Sequence, residues 1–395
     1  MEPRKIKTVL VGVGGYGASY LSYFADGVLD WNRISLEGVV DPFTEGSTYY
    51  PLLREMKVPI YAELADFYRD NEAELAVIST PVHLHRGQCE IALGHGSHVL
   101  CEKPLAPCLG DWRELRQAER VSCKRIGVGF QWSFSRTMLA LKEDILSGRM
   151  GRPVCLKSLV CWPRGDGYYS GSSWKGRLRD REGRLINDSI VSNATAHYLH
   201  NMVFLLGSAM DSSLLPATVS AELYRVKEIE TFDTCFLKGK FTSGAGFYFV
   251  ASHAGAVEEQ PVFSYEFENA VVGFNDRLKD NRVRARFADG SEKVYGDPFT
   301  SAEAARKLEV MLDHAGSGCM IPCGLEAVLP HAYACDALAK IPVMMFPDEM
   351  KDKNESGVFC PALDGALHAC YDGAALPSEL AYPWAAEPSK ITFTR

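Results

Sequence analysis

A run of closely spaced glycines near the amino terminus is the first feature of the sequence whose residue types could do chemistry. It reads Gly12, Val13, Gly14, Gly15, Tyr16 and Gly17, directly after the β-branched and apolar run 8–11. In this spacing Gly12 permits a tight turn, Gly14 lets a phosphate approach the backbone, and Gly17 lets the next helix lie close to the strand. The start of that helix offers free N–H groups to a pyrophosphate. We expect Gly15 and Tyr16 to contact the dinucleotide to which this pyrophosphate belongs. A methyltransferase could use a similar loop, so the glycines alone do not name the cofactor.

An aspartate at the end of the next predicted strand narrows the choice of cofactor. Asp41 follows the strand-like run 34–40, and the four residues after it contain no arginine. A carboxylate in this place accepts a hydrogen bond from a ribose 2′-hydroxyl and repels a 2′-phosphate. The pattern therefore predicts NAD and disfavours NADP. The alternative is that Asp41 only caps the end of the strand.

Two further motifs in the same third of the chain carry a family resemblance. They read Ser79, Thr80, Pro81, Val82, His83, Leu84, His85 and then Cys101, Glu102, Lys103, Pro104, Leu105. In this order after the glycine loop, they resemble the Gfo/Idh/MocA family, the relatives of glucose–fructose oxidoreductase and inositol dehydrogenase. Similar segments follow at 127–131 and 147–153 and around Asn193 and His197. The resemblance covers residues 5 to about 340.

The resemblance implies a fold, an activity and a set of site residues. It implies a Rossmann domain joined to an α/β domain with a large, mostly antiparallel sheet, and NAD(P)-linked oxidation or reduction of sugars, cyclitols or similar polyols. It implies that Lys103 is a catalytic or substrate-orienting lysine and that Gln131 faces the substrate. The expected cofactor pocket, besides the glycine loop and Asp41, is formed by Thr80, Pro81, His83, Glu102 and Lys103. His85 is expected to serve the start of the helix and its packing.

Lys103 is also placed well for this chemistry by the residues around it. It follows a predicted parallel strand, and ligands gather at the carboxyl ends of strands in open α/β sheets. Pro104 fixes the local backbone and restricts Lys103 to an extended conformation. The lysine can then donate to substrate hydroxyls, while Glu102 pairs with it or braces the cofactor pocket. The alternative is a surface Lys–Glu pair before a loop.

A predicted helix over residues 192–206 carries the second catalytic candidate. Asn193, His197, His200 and Asn201 share one polar stripe at helical spacing. By resemblance, His197 is the histidine that exchanges the hydroxyl proton as hydride moves. The family usually has aspartate four residues earlier, where this chain has Asn193. Asparagine can orient a substrate or an imidazole but cannot stabilise an imidazolium by charge. Asp188 could supply a carboxylate instead, although capping the helix is its simpler role.

A polar and aromatic loop region over residues 162–177 is the candidate substrate cover. Aromatic faces stack on the C–H surfaces of sugars while Arg and Lys bond hydroxyls, which singles out Arg164, Tyr168 and Trp174. The alternative is a surface or oligomer-contact loop. Further along, Arg225, Asp233 and His253 are candidate pocket or interface groups, with ion pairing on a sheet face as the alternative.

The order of predicted elements gives an α/β fold class. Strands alternate with helices up to residue 129, which predicts a doubly wound parallel sheet, and residues 217–295 are rich in strands. We predict a Rossmann domain over 1–127, a substrate-binding and oligomerisation α+β domain over 128–346, and a wrapping C-terminal extension over 347–395. The large second sheet would be open on one face, which predicts a homodimer or homotetramer formed through it.

Composition excludes several other classes of protein. Charged residues make up 23% and the net charge is −8, with no long basic run, so neither nucleic acid nor an anionic membrane is the expected partner. No apolar run approaches the roughly 20 residues of a membrane helix, and the charged start does not resemble a signal peptide. We therefore expect a cytoplasmic protein with reduced cysteines. Cys319, Cys323, His331 and Cys335 come closest to a metal-site spacing but are interpreted as thiols in a helix and loop, and no metal is predicted.

Three functions remain open from the sequence. The first is an NAD-dependent sugar or polyol dehydrogenase. The second is an NAD-dependent glycosidase, which oxidises a ring hydroxyl transiently, eliminates the glycosidic bond and returns the hydride. The third is a non-catalytic NAD-binding sensor, which Asn193 keeps open. The sequence does not reveal which sugar or which carbon is involved.

Overall fold

The computed structural model describes residues 4–275 and 280–393. The strands are β1 (Ile6–Val11), β2 (Ile34–Val40), β3 (Ile60–Tyr61), β4 (Leu75–Ile78), β5 (His98–Cys101), β6 (Ile126–Val128), β7 (Pro153–Cys161), β8 (Pro216–Arg225), β9 (Thr234–Phe241), β10 (Gly246–Ser252), β11 (Glu259–Phe267), β12 (Ala270–Phe274), β13 (Val283–Phe287), β14 (Glu292–Gly296), β15 (Met344–Met345), β16 (Asp352–Asn354), β17 (Gly357–Phe359) and β18 (Ser389–Thr392). The helices are α1 (Ala18–Ala25), α2 (Tyr50–Glu55), α3 (Leu64–Asp70), α4 (Val82–Gly94), α5 (Leu109–Ser122), α6 (Arg136–Leu146), α7 (Asp166–Ser170), α8 (Ala196–Leu205), α9 (Ser301–Ser317), α10 (Leu325–Leu338) and α11 (Ala362–Gly373). They fall into two compact units.

The first unit comprises the described residues up to Arg136 together with Phe299–Val328. Its sheet, in the order β3-β2-β1-β4-β5-β6, is parallel throughout. All four residues of β4 are apolar and buried, as expected for a strand with both faces covered. The strand order reverses between β1 and β4, and ligands of open α/β sheets bind at such a switch point. The predicted doubly wound parallel sheet is confirmed.

Helix α9 packs in the first unit although much of the second unit precedes it in the chain. Its apolar side, including Leu308 and Met311, joins the core formed with Leu10 and Leu100 of the parallel sheet. The Thr300 side chain accepts a hydrogen bond from the Glu303 N–H at 3.2 Å and so caps the helix start. The predicted second domain, 128–346, included Phe299–Val328, but this segment belongs to the first compact unit because its helix α9 covers the parallel sheet.

The second unit is built on a large mixed sheet. Its strand order is β14-β13-β12-β11-β7-β10-β9-β8-β15, and β18 also pairs with β8. Neighbours are antiparallel except for the β7–β10 and β8–β15 pairs. The predicted large, mostly antiparallel sheet is confirmed. Alternate residues of each strand point to opposite faces of the sheet, so the two faces pack against different parts of the chain.

The C-terminal segment covers the apolar part of one sheet face. Leu159, Tyr224, Phe236 and Tyr248 from four neighbouring strands share one buried cluster with residues from the end of the chain. The members from the end of the chain are Phe346, Cys360, Leu363, Ala366, Leu367, Cys370, Tyr371 and Leu376, with Tyr382 and Trp384 packed against them. The extension is thus part of the core of this unit.

The rest of this sheet face is polar. Cross-strand partners share a face, and the pairs Ser264–Lys157 and Glu266–Cys155 continue the face of Val262 and Leu159. Further out the same face carries Arg284, Arg286 and Glu292. We expected one face of the second sheet to be open. Where the C-terminal extension lies, that expectation is wrong, because α11 and the segments beside it bury the sheet surface. The oligomeric state stays a prediction.

Truncation of one buried side chain in the extension should destabilise the protein strongly. Leu367 is 2% exposed, and Leu367→Ala is expected to lower the free energy of unfolding by about 2–5 kcal/mol, through lost burial and the cavity left behind. Leu380, in the same extension, is 41% exposed, so Leu380→Ala is the matched control with an expected change within about 0.5 kcal/mol. Urea unfolding followed by circular dichroism measures both. Equal effects of the two substitutions would contradict a packed extension.

Candidate functional site

The glycine loop between β1 and α1 leaves open space where a phosphate would bind. Gly12 has φ +82°, and a Cβ at this position would lie 2.9 Å from the carbonyl oxygen of Ser79. A Cβ at Gly17 would collide with the carbonyl oxygen of Gly12. In contrast, nothing lies within 4 Å of a Cβ position at Gly14 or Gly15. The outer glycines therefore satisfy the turn and the packing of α1, while the inner two border free space at the helix start.

Asp41 ties this loop to the end of β2. One carboxylate oxygen accepts from the Val13 N–H at 2.9 Å and the other from the Phe43 N–H at 2.8 Å. A carboxylate oxygen can accept more than one hydrogen bond, so both oxygens retain capacity for a ribose hydroxyl. The open space at Gly14 and Gly15 and this partly buried carboxylate together fit a dinucleotide.

His85 joins the two motifs that carry the family resemblance. Its ring is buried, with Nδ1 2.9 Å from the carbonyl oxygen of Pro104 and Nε2 2.8 Å from that of Thr80. Burial lowers the pKa of His85, against the opposing effect of these carbonyls. His85 thus holds the Thr80 turn against the segment after Lys103. The candidate His83 lies in the first turn of α4.

Glu102 is part of a buried ionic cluster in the first unit. Its Oε1 accepts from the Tyr20 hydroxyl at 2.5 Å and from the ammonium of Lys307, whose side chain is fully buried. The backbone of Gly129 lies against the same carboxylate, where a Cβ would come within 2.6 Å of Oε2. Lys103 follows directly and donates its N–H to Glu102 Oε2 at 3.3 Å. Glu102 is therefore held firmly beside the predicted catalytic lysine.

Sequence reasoning missed Lys307. A usable signal was present, because Lys307 lies four residues before Met311, on the buried side of α9. Its ammonium also donates to the Tyr16 hydroxyl at 2.9 Å, and Tyr16 donates to Gln131 Oε1 at 3.0 Å. Burial, followed by the nearby Glu102 carboxylate, raises the pKa of Tyr16, so its hydroxyl stays protonated. The structure thus brings the predicted residues Tyr16, Glu102 and Gln131 together around this lysine.

A small pocket lies within the second unit. Three predicted site residues line it, namely Tyr168, Asp188 and Asn193. Its other lining residues are Tyr169, Ser189, Ile190, Ala194, Ile229, Thr231, Phe232 and His253. The predicted residue Trp174 is outside this lining. Of the three uncertain polar candidates on the sheet, His253 is the one that reaches the pocket.

Asp188 organises this pocket and does not cap α8. Its Oδ1 accepts from the Asn193 side-chain amide at 2.9 Å, and its Oδ2 accepts from the Gly176 N–H at 2.6 Å. A carboxylate therefore stands directly behind the asparagine that replaces the family's usual aspartate. The same two bonds fix the loop that contains Gly176 against the segment before α8.

The predicted helix over 192–206 begins later than expected. Helix α8 starts at Ala196, and Asn193 lies in the turn before it. The cause is local hydrogen bonding, since the Ser192 hydroxyl donates to Asn187 O at 2.7 Å and the Thr195 hydroxyl to Ile190 O at 2.8 Å. These bonds offer the backbone an alternative to the first helical turn.

Two members of the predicted polar stripe are buried. His200 and Asn201 are each 1% exposed, and Asn201 donates to the Tyr265 hydroxyl at 3.2 Å. Burial, with His331 next in importance, lowers the pKa of His200 well below its usual value, so this ring is neutral. His197 lies in the first turn of α8 and is partly exposed, which leaves it as the accessible histidine of the helix.

Aromatic rings and cations surround Tyr168 at the pocket. The Lys175 ammonium lies 3.9 Å and the Arg164 guanidinium carbon 5.2 Å from the centroid of its ring. The Tyr169 hydroxyl lies 2.8 Å from His253 Nδ1. Burial lowers the pKa of His253 to about 3, helped by Arg164, so its imidazole is neutral. Burial, followed by Asp188, raises the pKa of Tyr168 to about 12.

Two other kinds of site are absent from residues 4–275 and 280–393. No cluster of three or more His, Cys, Asp or Glu side chains suitable for a metal ion is found there. Over the same part of the chain, no helix is long and apolar enough to cross a membrane.

Comparison with known proteins places the first unit in a family. Residues 6–130 match the Gfo/Idh/MocA family model, described as an oxidoreductase family with an NAD-binding Rossmann fold. The chain is 27% identical to inositol 2-dehydrogenase of Salmonella typhimurium over 38% of this chain and 44% of that protein. It is 31% identical to an uncharacterized oxidoreductase of Schizosaccharomyces pombe over 35% of this chain and 39% of that protein. The matches thus span less than half the length of these relatives.

Solved structures share the fold over most of the chain. A levoglucosan dehydrogenase in complex with NADH aligns with TM-score 0.71 and 16% identity, covering 85% of this chain and 96% of that one. The WlbA dehydrogenase from Bordetella pertussis, in complex with NADH and UDP-GlcNAcA, aligns with TM-score 0.70 and 20% identity, covering 85% and 95%. At these identities the likeness concerns the fold.

Proposed function

Because residues 6–130 belong to the Gfo/Idh/MocA oxidoreductase family as its NAD-binding Rossmann domain, we propose that this chain is an NAD-dependent oxidoreductase. It transfers hydride between the nicotinamide and a hydroxyl or carbonyl of a sugar, cyclitol or related polyol. The observation that carries the proposal is the glycine loop, with free space at Gly14 and Gly15, in the domain that also presents Lys103. Bound NAD supplies the hydride acceptor of the oxidation.

The residues of the first unit bind and orient in this proposal. The backbone at Gly14 and Gly15 and the start of α1 hold the pyrophosphate, and Asp41 accepts from the adenosine ribose. Glu102 is held by Lys307 and Tyr20, so it keeps the segment before Lys103 in one position. The remaining residues assigned to the cofactor pocket are Gly12, Tyr16, Gly17, Thr80, Pro81 and His83.

The proton steps fall to two residues in the proposal. Lys103 donates a hydrogen bond to the reacting hydroxyl and orients it. His197 takes the hydroxyl proton during oxidation and returns it in the reverse direction. Asn193 orients the substrate or the imidazole, and Asp188 behind it provides the negative charge that asparagine lacks.

A panel of sugars and polyols tests this function. The purified protein is incubated with NAD and each compound, NADH is followed by its absorbance, and the products are analysed for bond cleavage. We expect NADH formation with at least one CH–OH compound. Release of an aglycone from a glycoside without net NADH would assign the glycosidase reaction instead. Tight NAD binding with no turnover of any compound would contradict an enzymatic function and favour the non-catalytic NAD-binding sensor.

The choice of NAD over NADP has its own test. Asp41→Ala is expected to weaken NAD binding about 10- to 100-fold and to reduce the preference for NAD, because a charged acceptor for the ribose is lost. Asp41→Asn is the comparison variant of equal shape: it removes the charge and keeps one of the two bonds to the Val13 and Phe43 N–H groups, because the amide NH2 group cannot accept. Fluorescence titration with both dinucleotides gives the affinities. A native protein that prefers NADP would contradict the assignment.

A further inference from the structure

Two cations beside the pocket of the second unit form no ion pair. Within residues 4–275 and 280–393, the side chains of Arg164 and Lys175 make no hydrogen bond or ion pair. The buried Nε of Arg164 is left without an acceptor there. Other cations of the same region are paired, Arg177 with Glu230 and Lys227 with Asp166.

Both cations are held at the pocket by one ring. Each lies within 5.2 Å of the centroid of Tyr168, which lines the pocket. The nearest pocket carboxylate, Asp188, uses its two oxygens for the Asn193 amide and the Gly176 N–H. Two positive charges thus lie against the ring of a lining residue, while the pocket's own carboxylate is hydrogen-bonded to Asn193 and Gly176.

A buried polar atom in the same lining adds a second observation. His253 is 2% exposed, and its Nε2 has no hydrogen-bond partner in the described part of the chain. Its Nδ1 is engaged by Tyr169 at 2.8 Å. A buried polar atom without a partner costs free energy, so a bound hydroxyl at Nε2 would remove that cost.

We propose that a sugar carrying an anionic group binds here, with one of its hydroxyls in the pocket on His253 Nε2 and its anion beside the pocket on Arg164 and Lys175. The proposal rests on the proposed function, in which the second unit binds the substrate. A guanidinium pairs with a carboxylate or a phosphate through two parallel hydrogen bonds.

The ionisation of Lys175 agrees with this arrangement. Burial lowers the pKa of Lys175; Asp188 opposes that effect and the like charge of Arg164 adds to it. A bound anion would favour the charged ammonium and so bind more tightly where Lys175 is protonated.

Calorimetric titration of the NAD-loaded protein tests the proposal with D-glucuronate, D-glucose 6-phosphate and D-glucose as probes. We expect one of the anionic sugars to bind at least about 10-fold more tightly than glucose, and Arg164→Gln to weaken that binding about 10- to 100-fold with little effect on glucose. Lys240→Gln, which removes an exposed cation on β9, is the matched control with unchanged affinity.

The pattern of results separates the two proposals. Tighter binding of glucuronate identifies a carboxylate, and tighter binding of the phosphate identifies a phosphate; either supports the anion site. Equal binding of glucose, no binding of any probe, or equal losses in Arg164→Gln and Lys240→Gln would overturn it. Anion-dependent binding without NADH formation on any sugar would keep the anion site and reject the oxidoreductase.

Discussion

Replacing His197 with alanine is expected to lower kcat by about 10²- to 10⁴-fold while NAD affinity is unchanged. In the proposed reaction, hydride leaves the carbon only as the hydroxyl proton is taken up, and His197 is the accessible histidine at the start of α8. In the proposal the pyrophosphate and the adenosine ribose are held by other residues, the glycine loop and Asp41, so we expect NAD affinity to be kept. Initial rates of NADH formation on the compound identified by the panel measure kcat.

Two further measurements separate catalysis from damage to the fold. His368→Ala is the matched control, because His368 is a half-exposed histidine of the same unit, and we expect it to retain full activity. Free imidazole added to His197→Ala should restore part of the rate if the ring acts as a base. Full activity of His197→Ala would remove this residue from the mechanism.

Replacing Lys307 with methionine is expected to lower the free energy of unfolding by about 3–5 kcal/mol. The substitution keeps most of the volume but leaves the 7%-exposed Glu102 carboxylate without its cation. Removing one partner of a buried ion pair is costly because the other charge stays in a poorly solvating environment. The Tyr16 hydroxyl also loses its donor. Urea unfolding followed by fluorescence measures the loss.

The double variant distinguishes charge from packing. Glu102→Gln combined with Lys307→Met removes both charges, and we expect it to recover most of the stability lost in the single variant. A loss of less than about 1 kcal/mol in Lys307→Met, or a double variant with the sum of both single losses, would contradict a buried ion pair.

Local patterns predicted the parallel half of the fold well. The apolar run Leu75–Ile78 can be buried on both faces only within a covered parallel sheet, and it is β4. The strand Ile34–Val40 ends at Asp41 as expected, and the glycine spacing lies between β1 and α1. Such elements are predictable because periodicity and turn chemistry act over a few neighbouring residues.

The sequence did not predict the start of α8, the partner of Glu102 or the cover of the second sheet. Helix α8 starts only at Ala196 because the Ser192 and Thr195 hydroxyls donate to backbone carbonyls five residues earlier, a competition that helical spacing does not reveal. The partner of Glu102 is 205 residues away at Lys307. The cover of the second sheet comes from α11, a segment whose composition indicated only an extension.

The amino-acid sequence by itself determined the Rossmann unit, the loop for a dinucleotide and the residue types available for proton transfer, because each depends on local spacing. Only the tertiary structure decided that Lys307 pairs with Glu102, that Asp188 bonds the Asn193 amide, and that Arg164 and Lys175 share one ring without an ion pair. The physical reason is that burial and charge pairing depend on which distant segments pack together, and no local pattern records that choice.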